Sequence, residues 1–72
     1  MNSEIVESLI DISVSMEIIM RNVIEEKYNM NREDIIIEDW VLEIEKVMGR
    51  RVVDNWNKIN ELINSMEGCG RA

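Results

Sequence analysis

The residues from Ser3 to Tyr28 contain neither Gly nor Pro. Within them Ile5, Leu9, Ile12, Met16, Ile19 and Val23 recur at steps of four and three, the apolar seam of an amphipathic helix. A helix of that length spans roughly 39 Å, more than the width of a compact domain of this size. Whatever follows in the chain has to pack on it. A second row, Val6, Ile10, Met20 and Ile24, widens the apolar stripe. A third row, Ile10, Val14 and Ile18, lies on the opposite flank beside Glu7, Asp11, Asn22 and Glu25. Between Leu9 and Met20 the helix is therefore apolar on most sides, as helices buried on most sides are.

The chain has 72 residues, which is one small domain. A domain of that size buries only about 60% of the surface its unfolded chain exposes. One copy has too little material to cover the first helix. The expectation is a homodimer, with Ile10, Val14 and Ile18 as the self-association or partner-binding row.

The first break falls at Asn29–Asn31, where Asn31 is an N-cap candidate followed by Glu33 and Asp34 in a first turn. Ile37, Val41, Ile44 and Met48 then repeat at helical spacing, with Ile36, Trp40 and Val47 beside them. This predicts a second helix over 32–48, with Gly49 as a left-handed cap. The β-branched Ile35-Ile36-Ile37 leaves open a short extended segment instead, with Asp39 capping a shorter helix. Val52, Trp56, Ile59, Ile63 and Met66 repeat once more, with Leu62 alongside, predicting a third helix over 52–67. Asp54 and Lys58 are spaced for an ion pair within it. Gly68 is expected to stop it, leaving a frayed tail over 68–72. The predicted fold is all-α: a long helix over 3–29 plus a helical hairpin, 1–72 as a single domain, and two copies making a homodimeric helical bundle.

What is missing narrows the chemistry. There is no His, so the usual neutral-pH general base and the commonest transition-metal ligand are both lacking. Cys69 is the only cysteine, too few for a zinc or iron–sulfur site, and it is expected to be exposed and reduced. No glycine-rich phosphate loop occurs. Glu4-x-x-Glu7 is the one E-x-x-E pair on the first helix, and the second has no matching E-x-x-D for a shared divalent cation. No catalytic residue, cofactor or metal ligand is therefore assigned. Glu4 and Glu7 stand where a secretory signal would carry Lys or Arg. No apolar run reaches the about 18 residues of a membrane span. A soluble cytoplasmic protein without a membrane partner is expected.

The net charge is −7, which opposes broad nucleic-acid binding. It suits a basic protein partner or imitation of a polyanion. The composition, rich in Ile, Asn, Met and Glu with Ala72 as the sole alanine, is what AT-rich codons produce. These features predict a non-enzymatic, acidic protein-binding module, a regulator or inhibitor. A phage- or plasmid-encoded blocker of a host nucleic-acid-handling protein is the specific version, acting in the host cytoplasm. Glu7, Asp11, Glu25, Asp34, Glu38 and Glu45 would stand in for phosphates, with Asp34, Glu38 and Glu45 sharing the outer face of the second helix. The alternative is a small dimeric DNA-binding transcriptional regulator. Arg50, Arg51 and Lys58 would meet phosphates, and the amides of Asn57, Asn60 and Asn64 would meet base edges. The stretch Glu38 to Leu62 faintly resembles the first two helices of a Myb or SANT repeat. Its first tryptophan is out of place, however, and Asn55 falls where a helix-turn-helix register from Gly49 wants a buried aliphatic. No family is assigned from it.

Overall fold

The computed structural model describes the backbone of residues 2–69 and the side chains of residues 3–67. The architecture is all-helical, with three helices and no strand among the described residues. Helix α1 spans Asn2–Tyr28, α2 spans Val41–Met48 and α3 spans Arg50–Cys69. Two 3-10 turns, Arg32–Asp34 and Ile37–Trp40, lie between α1 and α2. Among the described residues no helix is long and apolar enough to cross a membrane.

α1 ends at Asn29, whose φ of 53° is left-handed, a conformation Asn tolerates better than most residues. The amide of Met30 then bonds the carbonyl of Glu25 at 3.2 Å, the six-to-one bond that closes a helix C-terminus. Asn31 does not cap with its side chain. Its carbonyl instead accepts from the Asp34 amide at 3.0 Å.

The expected continuous helix over 32–48 is not formed. Ile35 and Ile36 are extended, and the α-helix starts only at Val41. The reason lies in the isoleucines. Ile35 and Ile37 are buried while Ile36 points out, the two-residue alternation of an extended strip, to which β-branched side chains are suited. Asp34, Glu38 and Glu45 therefore sit on three separate elements and share no helical face.

α2 and α3 are joined by Gly49 alone. Its φ of 95° and ψ of 154° lie outside the left-handed helical cap that was expected. This is a region essentially reserved for glycine, and it lets the chain turn within one residue. α3 consequently begins at Arg50, two residues before the expected start. It continues through Gly68 to Cys69, so Gly68 does not stop it. Of the tail expected to fray over 68–72, residues 68 and 69 are helical and 70–72 lie outside the described residues. Asp54 pairs with Arg50 at 3.8 Å, not with Lys58.

The core gathers Met20, Ile24, Ile35, Ile37, Ile44, Val53 and Trp56, with Met16, Met30, Trp40, Val41 and Met48 packed around it. α3 runs antiparallel to α1: Met20 shares the core with Val53, while the earlier Ser13 meets the later Asn60. The face that α1 buries differs from the expected seam. Ser13, Met20 and Ile24 are buried, whereas Ile5, Ile12 and Ile19 of that seam are 53%, 47% and 51% exposed. The helix is rolled by about one residue position. Ser13 Oγ donates to Asn60 Oδ1 at 2.7 Å, and Arg21 Nε donates to the carbonyl of Ile35 at 3.2 Å. Both bonds hold α1 in this rotation. The apolar pattern alone could not, because α1 offers more than one apolar stripe.

Candidate interaction surface

With its core line set by Ser13, Met20 and Ile24, α1 turns a defined strip outward. Glu4, Glu7, Asp11, Val14, Ile18, Asn22 and Glu25 follow one another at steps of three and four, so they lie along one line of the helix. All but Glu25 are exposed, and Glu25 is half-buried. The middle of the line is apolar, with Val14 at 47% and Ile18 at 40% exposure, and Ile10 borders it at 37%. Glu4, Glu7 and Asp11 have no ion-pair partner among the described residues. Glu25 is partly engaged, accepting from the Arg32 amide at 3.0 Å. The predicted residues Glu7, Asp11, Val14, Ile18 and Glu25 are thus brought onto one surface. Asp34 and Glu38 are exposed elsewhere, and Glu45 lies 3.9 Å from Arg50.

The rival set of residues on α3 is divided by the fold. Asn60 is half-buried and holds Ser13. Asn57 and Asn64 are exposed on the same side as Asn60. Arg51 and Lys58 lie about 100–180° round the helix from those amides. Arg50 is near the amides but is shared between Glu45 and Asp54. Bases and amides do not form a single surface.

One polar cluster was not foreseen. Glu43 on α2 accepts from the Tyr28 hydroxyl at 2.6 Å, and its carboxylate lies 3.3 Å from Lys27 Nζ and 3.5 Å from Lys46 Nζ. The Tyr28 ring is tilted against Trp40, with centroids 4.9 Å apart. The Tyr28 hydroxyl bond, then the Lys27 bond, hold the Glu43 carboxyl below its ordinary value of 4.5. The bond to Glu43 holds Lys27 above its ordinary value of 10.5. This cluster fixes α2 to the end of α1. Its only trace in the sequence is an aromatic and a base closing the long helix, which names no partner.

The described residues form no pocket and no cluster of three or more His, Cys, Asp or Glu that could hold a metal ion. The surfaces this chain offers are open helix faces, suited to docking against another macromolecule. Comparisons with protein-family models, curated proteins and solved structures return no match.

Proposed function

We propose that this chain is a non-catalytic interaction module that regulates or inhibits another protein through the outward strip of α1. One observation carries the reading: an exposed apolar centre, Val14 and Ile18, lies in line with acids at both ends, Glu4, Glu7 and Asp11 on one side and Glu25 on the other. A surface of that kind fits a partner with an apolar contact between basic patches. Proteins that handle nucleic acid carry basic surfaces, so charge mimicry of a polyanion is the specific version. Electrostatic attraction would then speed association, and salt would slow it.

The test is affinity capture from the source cell at low and high salt, with wild-type chain and with Glu7→Lys and Val14→Glu variants. A partner held by wild type, lost by both variants and weakened by salt is the expected result. A partner retained equally by both variants, or equally at high salt, would refute the mimicry. DNA binding is less favoured, because α3 separates Arg51 and Lys58 from the asparagine row.

A further inference from the structure

The flank of α1 between the core line and the outward strip carries a second surface. For two right-handed helices running antiparallel, the residues just before the contact line on each, in the sense of helix rotation, fall on the same side of the pair. At about 100° per residue, those are Leu9, Met16, Val23, Ile5, Ile12 and Ile19 on α1, with Met16 at the inner edge packed on the core, and Val52, Ile59, Met66 and Leu62 on α3. Ile5, Ile12, Ile19 and Leu62 are each about half exposed, at 53%, 47%, 51% and 49%. Leu9, Val23, Val52, Ile59 and Met66 are half-buried, and none of them packs on the central cluster. The extended segment lies on the other side, where Arg21 meets Ile35. This side of the α1–α3 pair is therefore an open apolar groove.

Its rims are charged with opposite sign. Beyond the α1 flank come Glu4, Asp11 and Glu26, all exposed. Beyond the α3 flank come Arg51 and Lys58, exposed and without an ion pair among the described residues. The chain exposes 5380 Å², more than the roughly 4700 Å² of a compact monomer of its mass, as its elongated shape requires.

We propose that a second copy of this chain covers the groove, making an antiparallel four-helix bundle in which α1 of each copy lies on α3 of the other. The twofold axis then runs along the bundle. The acidic rim of one copy meets the basic rim of the other, twice by symmetry. Stacking α1 on α1 instead would set acids against acids and bases against bases. Ser13 and Asn60 mark a common level. Glu26 then stands roughly 6 Å along the axis from Arg51 of the second copy, within reach of these long side chains, and Asp11 stands at a similar axial offset from Lys58. The dimer leaves the Val14–Ile18 strip outward on both copies. Its apolar contacts use a different flank from the partner-binding strip, with which it shares only the acids Glu4 and Asp11, so substitutions of the apolar residues tell the two apart.

The test uses the full chain with Cys69→Ser. One preparation carries Ser15→Cys and another Lys58→Cys, two exposed rim positions at the same level. The mixture, treated with a short bismaleimide, is expected to give a covalent dimer that neither preparation gives alone. A Ser15→Cys preparation that cross-links to itself as well as the mixture does, or no cross-link in any tube, would overturn the arrangement. In otherwise wild-type chain, Lys58→Glu is expected to raise the dimer dissociation constant roughly tenfold. Adding Asp11→Lys to the same chain is expected to restore it to within about threefold, and a failure to restore it would overturn the pairing. Circular dichroism checks that each variant stays helical. The cross-linking arm keeps the proposal testable if a charge reversal unfolds the chain.

Discussion

The indole N–H of Trp56 is buried with no acceptor among the described residues, in the middle of the α1–α3 packing. An unpaired buried donor costs about 1–3 kcal/mol. Trp56→Phe removes that donor along with part of the ring, so the two effects offset. Stability by urea unfolding is expected to change by less than about 1 kcal/mol, against a loss of about 3–5 kcal/mol for Trp56→Ala. A loss beyond about 2 kcal/mol for Trp56→Phe would mean that the N–H is bonded. Ser13 is the opposite case, a buried polar group whose one bond, to Asn60, is made. At the far end of α1, Glu43 titrates in a way that can be followed. Its carboxyl is depressed in the folded protein, chiefly by the Tyr28 hydroxyl, so its contribution is present above the ordinary value of 4.5 and is lost as pH falls through the depressed one. Lys27 is raised above 10.5, so its contribution is present below that value and is lost as pH rises through the raised one. Thermal midpoints of wild type and Glu43→Gln are expected to differ at neutral pH and to converge in acid. Parallel curves down to pH 2 would contradict the Tyr28–Glu43 bond.

Among the elements, Gly49 carries the sharpest demand. A Cβ built there meets nothing within 4 Å, yet φ is +95°, so Gly49→Ala is opposed by backbone strain alone. A loss of about 1–3 kcal/mol is expected in chemical denaturation. An unchanged stability would mean that the α2–α3 corner can be turned another way. The sequence places Gly49 at a helix break but cannot distinguish a left-handed cap from a one-residue corner, since glycine suits both. The three helices were legible because their apolar spacing is regular and their breaks carry Asn and Gly. The rotation of α1 was not. Two apolar stripes compete on it, and the choice between them falls to Ser13 with Asn60 and to Arg21 with the Ile35 carbonyl, bonds between residues far apart in the chain. The isoleucine triplet shows the same limit. Helical spacing from Ile37 to Met48 favoured a continuous helix, and the burial of Ile35 together with Ile37 decided for an extended strip. Of the interaction surface, the outward line of Glu7, Asp11, Val14, Ile18 and Glu25 could be read in advance, because it depends only on helix periodicity within α1. The acidic grouping of Asp34, Glu38 and Glu45 failed because it assumed one helix through residues that form three elements.

The whole molecule is longer and more open than its chain length calls for. It measures 43 × 22 × 17 Å with a radius of gyration of 13.7 Å, against about 11 Å for a compact domain of 72 residues. α1 sets that length, and α2 and α3 line one face of it. Both remaining apolar flanks of α1 stay in contact with solvent in a single copy, Ile5, Ile12 and Ile19 on one and Ile10, Val14 and Ile18 on the other. The first is bordered by acids and bases, and the second by acids and by Arg21, whose guanidinium is held by Glu17 and the Ile35 carbonyl. Sedimentation across a concentration series separates the two most directly, using wild type, Ile12→Glu with Leu62→Glu, and Val14→Glu with Ile18→Glu. Wild type is expected to sediment as twice 8.5 kDa, the first double variant as a helical monomer and the second as an intact dimer. A wild-type chain that stays monomeric at every concentration, or a dimer broken only by the second pair of substitutions, would contradict the account.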